Sequence, residues 1–452
     1  MKQLIHVTFV IVLLQYTSIN AQNNLDLIDY HEAVKVILSH EYEISEIPVI
    51  AIIDGGVNAK HSDLKKHFWI NKNEIPNNNI DDDLNGFVDD VNGWNFRDNT
   101  NDISNYGIGS WHGTPINGII GTNNINSLKT NALSTNTQLM NLIKGNSVTS
   151  IIASLDYAYN MRKLYNNSDG KKGAFIVAVN CSWGKDLLWA SDYPDWCAMY
   201  DKLGSVGILS IHSVPNNNVN VDVLGDMPTT CSSDYLITVT NSNLNDEKIY
   251  DAGFGRISVD LAAPGNSSYT TLNTGEYGYF EGTSAAAPYV TGTIGLLHLL
   301  PSDSFHTNVK KSPAETASLI KSVILSGTDP ILDFTNLTVT EGRLNAFNSI
   351  KLLCDSLNEE YLYKTIFNPF QIITTYPNPA KNIINLQIES STDNEVNIAV
   401  IGIDGKILLA QNHKTAKGIN LITINLTGVL KGLYIIRLTS NEISKTIKLM
   451  IR

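Results

Sequence analysis

The sequence predicts an α/β domain, a parallel sheet with helices on both faces, followed by a small C-terminal all-β sandwich domain. Three observations carry this expectation. Residues 47–350 alternate short, nearly continuous apolar runs with amphipathic helical patterns, the signature of strands buried on both faces. From about residue 372 onward no helical period is found, and short strand-like runs take over. The 452 residues exceed one typical domain, and the hydrophobic content of 43% is ordinary for folded protein.

The N-terminus reads as an export signal over residues 1–21. Lys2 supplies positive charge, an apolar stretch covers 7–14, and small and polar residues lead to Ala21. That stretch is shorter than the roughly 20 residues that span a bilayer, and no later stretch is long and apolar enough either. A short segment, 22–46, precedes the first strand at 47–53. Ile151, Ile152, Leu155, Ala158 and Tyr159 share one helical face. Further buried strands are expected at 174–180, 207–211, 235–240 and 257–262. The α/β domain takes 47–352, a linker 353–372 and the all-β module 373–452. Its strands are expected at 383–388, 396–401, 407–410, 421–426, 433–438 and 446–451, with Asp404-Gly405 as a hairpin turn.

A formal net charge of −12 argues against non-specific nucleic-acid binding, which needs basic surface. The four cysteines, Cys181, Cys197, Cys231 and Cys354, fit no zinc spacing and no dense disulfide framework. Cys181 lies in an apolar run and reads as core. A Cys197–Cys231 bond formed after export and a set of buried free thiols both remain open.

Three segments carry chemistry. In Val49-Ile50-Ala51-Ile52-Ile53-Asp54-Gly55-Gly56, a carboxylate stands at the C-terminal end of a buried strand, where open α/β sheets place their sites. In Trp111-His112-Gly113-Thr114-Pro115, a histidine sits just ahead of an apolar helical pattern, with Pro115 fitting the first turn alone. In Gly282-Thr283-Ser284-Ala285-Ala286-Ala287-Pro288, a serine opens a helix small enough in its side chains to bury deep and hold that serine rigidly.

Taken in this order, the three segments resemble the blocks D-x-G, H-G-T and G-T-S-x-A-x-P of the subtilisin-like proteases. The resemblance covers residues 45–350. It implies a subtilisin-like sheet and a secreted serine endopeptidase. Ser284 would be the nucleophile, His112 its general base, and Asp54 the group that orients and stabilises the imidazole. It implies no organic cofactor. The family's oxyanion asparagine falls on Asn216, but Pro215 stands where glycine is usual and His212, Ser213 and Val214 replace small residues. Proline restricts Val214 before it, which puts the aim of Asn216 in doubt and leaves Asn217 and Asn218 as substitutes. Ser182, Trp183 and Gly184 match the segment that pairs with extended substrate as an added strand. The altered oxyanion stretch also leaves a second reading, a catalytically weak surface binding or adhesion protein. An esterase or peptide ligase on the same scaffold is a third.

Residues 80–93 are rich in Asp, Asn and Gly. Asp81, Asp83, Asn85 and Asp89 fall at the early positions of a calcium-binding loop, although Asn92 stands where such a loop ends in Glu. A structural Ca2+ is expected there. Residues 373–452 resemble the sorting domain of the type IX secretion system, through Tyr376-Pro377-Asn378-Pro379, Asp404-Gly405-Lys406 and Gly432-Leu433-Tyr434. That resemblance implies export across the outer membrane and the secretion machinery as a partner, beside protein or peptide substrates, with no nucleic acid and no transmembrane anchor.

Overall fold

The structure is a computed structural model that describes residues 24–38, 46–104, 109–121, 133, 136–359, 362–363, 370–390, 393–440 and 443–452. The expected export signal, 1–21, lies outside them. The chain divides into two compact units, Met1–Leu353 and Cys354–Arg452.

The first unit is built on a nine-stranded sheet. Its order is Asp329–Pro330, Gly342–Arg343, Leu261–Pro264, Leu236–Ser242, Leu209–Ser213, Ile176–Cys181, Val49–Asp54, Gln138–Ile143 and Gly93–Asn95. Every neighbouring pair is parallel except the antiparallel edge pair of Asp329–Pro330 with Gly342–Arg343. The Val49–Asp54 strand is apolar and, but for Ala51, β-branched up to its final Asp, and all six residues are buried, as a central strand covered on both faces requires. From it the chain steps outward to Gln138–Ile143, then returns to its other side at Ile176–Cys181. This reversal opens a crevice at the carboxyl ends of those strands, where Asp54 and Ser182 lie.

The helix Thr283–Leu297 has all fifteen residues buried. Its alanines and glycines let it pass close to its neighbours: a Cβ on Gly292 would lie 2.6 Å from the Leu133 Cβ. The helix Val148–Asn167 buries Ile151, Leu155 and Ala158 as expected, but the face continues through Met161, Arg162 and Tyr165, and Ile152 and Tyr159 are only half-buried at its margin. The strand expected at 257–262 begins only at Leu261, and Ile257 is 81% exposed. Pro115 lies in the interior of the helix Ser110–Ile120 and not in its first turn. The helix starts at Ser110, and the bond that proline cannot donate would have gone to the carbonyl of Trp111, a largely exposed residue where solvent can replace it.

In the second unit a three-stranded antiparallel sheet, Phe370–Tyr376, Ile383–Ser390 and Gly418–Asn425, accompanies a four-stranded one, Ile407–Thr415, Asn394–Gly402, Gly432–Ser440 and Ile443–Ile451. Ile384, Leu386 and Ile388 from the first and Val396, Ile398, Ile436 and Leu438 from the second share one core. All six expected strands are present. Phe370–Tyr376 is a seventh, which starts in the stretch expected as linker and runs into the module.

Cys197, in the helix Pro194–Ser205, is bonded to Cys231, while Cys181 and Cys354 are buried free thiols. The bond closes a ring across a sequence separation of 34. Replacing both bonded cysteines by serine is expected to lower stability by about 3–4 kcal/mol on loop entropy, read as an earlier midpoint in urea unfolding followed by circular dichroism. An unchanged midpoint would show the bond to be energetically idle.

Candidate active site

Asp54 ends its strand 5% exposed, its Oδ1 accepting the Gly55 N–H at 2.6 Å. His112 reaches it because the helix Ser110–Ile120 comes almost into backbone contact with the turn after that strand. A Cβ on Gly113 would lie 2.2 Å from the carbonyl oxygen of Gly56, so only glycine permits the approach. Nδ1 of His112 stands 3.0 Å from both carboxylate oxygens of Asp54. With Nδ1 held in this way, Nε2 is the nitrogen left to accept a proton.

Burial disfavours the charged imidazole. The Asp54 carboxylate, through its charge and hydrogen bond together, outweighs that effect and holds His112 above its ordinary value of 6.5, with Lys144 opposing. Lys144 follows the neighbouring strand. Its N–H donates to the Asp54 carbonyl at 2.9 Å, and its ammonium lies 4.6 Å above the Trp183 ring.

Ser284 is the second residue of the buried helix and is 6% exposed. Its N–H falls in the first turn, where no intrahelical acceptor exists. Pro288, four residues on, cannot donate to the Ser284 carbonyl. The Ser182 hydroxyl does so instead, at 2.9 Å, and the Ser284 hydroxyl in turn donates to the Ser182 carbonyl at 3.0 Å. The structure therefore brings Asp54 and His112 into direct contact and ties Ser284 to Ser182.

Asn216 also joins this cluster despite Pro215. Its Oδ1 accepts both the N–H and the hydroxyl of Thr283, each at 3.0 Å, and the Thr283 hydroxyl further donates to the Val214 carbonyl at 2.7 Å. With the amide oxygen taken up by Thr283, the residue before Ser284, Nδ2 is the side-chain atom left to donate. Asn217 is turned elsewhere, to Asp186 at 2.9 Å, and the Asn218 amide oxygen accepts from Lys248. Trp183 is half-buried, donates Nε1 to the Ile53 carbonyl, and stacks on Trp196. Gly184 is exposed and sits directly after it.

The acidic loop folds around a different set of carboxylates from the one expected. Glu74, Asp83 and Asp90 place oxygens within 4.8 Å of one another. Of Asp81, Asp83, Asn85 and Asp89, only Asp83 belongs to this group. Asp81 accepts the N–H groups of Asn85 and Gly86, and Asp89 those of Asn78 and Asn79. The Asn85 amide oxygen accepts from Phe87, while its Nδ2 donates to Asp90. Glu74 precedes the loop and Asp90 is a buried residue of it, so the spacing that singles out the loop does not reach Glu74.

Comparison with known proteins gives the family of each unit. The model of the Subtilase family matches residues 46–339, and the chain belongs to that family. The model of the secretion system C-terminal sorting domain matches residues 374–452. The chain thus carries a type IX sorting domain, which marks it for secretion or the cell surface. Among relatives, Subtilisin-like protease 1 of Plasmodium berghei (strain Anka) is 24% identical over 371 residues, covering 77% of this chain and 56% of that protein. Thermitase of Thermoactinomyces vulgaris is 27% identical over 311 residues, covering 67% of this chain and 88% of thermitase. The chain spans about half the length of the Plasmodium relatives it matches, 56% in one and 47% in another. A solved protease of Pseudoalteromonas arctica PAMC 21717 shares the fold, with a TM-score of 0.50 and 20% identity over 72% of this chain and 93% of that one. Among the described residues no helix is long and apolar enough to cross a membrane.

The raised value of His112 has a defined sign. Because it lies above 6.5, the Asp54 pairing contributes its full stability below pH 6.5 and loses it as pH climbs through the folded-state value. NMR titration of the His112 ring is expected to give a midpoint above 6.5, and Asp54→Asn to bring it below 6.5, since burial and Lys144 then act unopposed. A midpoint unchanged by that substitution would mean Asp54 does not govern the imidazole.

Proposed function

We propose that the chain is a secreted serine endopeptidase with Asp54, His112 and Ser284 as its catalytic groups. The observation that carries this reading is the commitment of His112 Nδ1 to Asp54, which leaves Nε2 as the base for a serine fixed at the start of a buried helix. Ser284 leaves the Ser182 carbonyl by rotation about one bond and attacks the scissile carbonyl carbon. Its proton passes to His112 Nε2, and the C–O bond forms as the carbonyl π electrons move to oxygen. The Ser284 N–H and Asn216 Nδ2 donate to that oxyanion. His112 then protonates the departing amine as the C–N bond breaks, and water, deprotonated by the same nitrogen, releases the acyl group. Ser182, Trp183 and Gly184 border the strand on which extended substrate would lie.

The resting bond from Ser284 to Ser182 favours a second reading, a surface binding protein with little turnover. A fluorophosphonate probe separates the two, because it labels only an activated serine. We expect labelling and casein hydrolysis by the native chain and neither by Ser284→Ala. Asn216→Ala is expected to cut turnover by about 10²–10³. A folded native chain that takes no label would leave the binding protein as the surviving reading. The sorting domain names the type IX machinery as the partner for export.

We also propose a structural Ca2+ held by Glu74, Asp83 and Asp90. The three offer oxygen alone, the donor set of a hard cation, and so close a group of carboxylates gains from a cation between them. The ion would fix the loop and take no part in the chemistry. Calcium is expected to raise the thermal midpoint of the chelator-treated protein, and Glu74→Gln with Asp90→Asn to abolish that rise. A midpoint indifferent to calcium would overturn the assignment.

A further inference from the structure

Asp226 is fully buried, and among the described residues its side-chain hydrogen bonds come from Thr229 alone, through hydroxyl and backbone. One carboxylate oxygen, Oδ2, accepts from the Thr229 hydroxyl, while Oδ1 is buried without any hydrogen-bond partner. Among the described residues, no Lys, Arg or His forms an ion pair with it. The charged neighbour is another acid, Asp186. Burial pushes the Asp226 carboxyl up to about 7, the Thr229 hydrogen bond works against this, and Asp186 adds to it. A buried, unpaired carboxylate costs stability, so its position is informative.

That position is next to the candidate substrate strand. The strands Ile176–Cys181 and Leu209–Ser213 are parallel neighbours, so the segments that follow them, 182–184 and 214–216, leave the sheet at the same end. The short antiparallel pairing of Lys185 with Met227 and Asp186 with Asp226 then lays Asp226 against Gly184. A Cβ at 184 would lie 3.3 Å from Oδ1 and 3.5 Å from Oδ2. With glycine there, nothing from that residue covers the carboxylate. Gly184 is two residues from Ser182, whose carbonyl holds the Ser284 hydroxyl at 3.0 Å.

We propose that Asp226 forms the floor of the pocket for the substrate side chain just before the scissile bond, and that it selects lysine or arginine there. This rests on the endopeptidase reading above. A basic side chain entering along Gly184 supplies the missing counter-charge. An apolar side chain leaves the carboxylate unpaired, and an acidic one is repelled by Asp226 and Asp186 together. Such a charge at a pocket floor sets specificity for the residue preceding the cut.

The test uses fluorogenic peptides that differ only at that residue. The native chain is expected to cleave the Lys or Arg peptide with kcat/KM at least 10-fold above the Leu and Phe peptides. Asp226→Asn, which keeps an acceptor for Thr229, is expected to lower kcat/KM for the basic peptides about 10²-fold and to leave the apolar ones within a few-fold. A native preference for Leu or Phe, or a profile untouched by Asp226→Asn, would overturn the assignment. A second measurement does not need turnover: p-aminobenzamidine fluorescence on the Ser284→Ala chain is expected to report binding that Asp226→Asn weakens at least 10-fold. Absence of binding with Asp226 intact would also overturn the pocket, whereas absence of fluorophosphonate labelling with p-aminobenzamidine still bound would overturn the endopeptidase reading alone.

Discussion

The exchange of hydrogen bonds between Ser182 and Ser284 holds the first unit's site together, and it exists because of a proline. Pro288 removes the N–H that would have satisfied the Ser284 carbonyl inside its helix. The Ser182 hydroxyl fills that place, and the Ser284 hydroxyl answers on the Ser182 carbonyl. A local defect in a fully buried helix thereby becomes a cross-link to the carboxyl end of a central strand. The wall expected to bind substrate and the residue expected to attack it are fixed to each other, and rigid support of this kind is what a reacting group requires.

Around that link, each remaining group is placed by a backbone approach or a fixed amide. Gly113 lets the His112 helix rest on Gly56, and the imidazole then meets Asp54 through one nitrogen. Thr283 holds the Asn216 amide oxygen through two donors, with proline preceding that residue. Lys144 contributes from a third strand, packing on Trp183 and opposing the charge of His112. Four strand ends converge here, as the reversal of strand order between Gln138–Ile143 and Ile176–Cys181 dictates.

Much of this was legible in the sequence because it is local. A β-branched run that ends in Asp, or a serine heading an Ala-rich helix, declares itself within a few residues. The unbroken apolar character of 49–53 and the small residues of 284–287 are direct consequences of burial on all sides. What was not legible depends on distance along the chain. Glu74 joins Asp83 and Asp90 only after the loop closes on itself. Asp226 meets Gly184 only when residues 185–186 pair with 226–227, far along the chain. The strand Phe370–Tyr376 is mostly exposed, which blurs its apolar alternation and explains why it was not expected as a strand. Ile257 looked like strand because it is β-branched, yet the buried register starts at Leu261. The interior position of Pro115 likewise followed from a helix start that the motif alone did not reveal.

The bond between Cys197 and Cys231 encircles a stretch that contains both Asn216 and Asp226. In the reducing cytoplasm such a bond does not persist, and it forms in oxidising compartments. The loops that bear Asn216 and Asp226 are therefore least constrained while that bond is unformed. They receive their covalent brace only in an oxidising compartment.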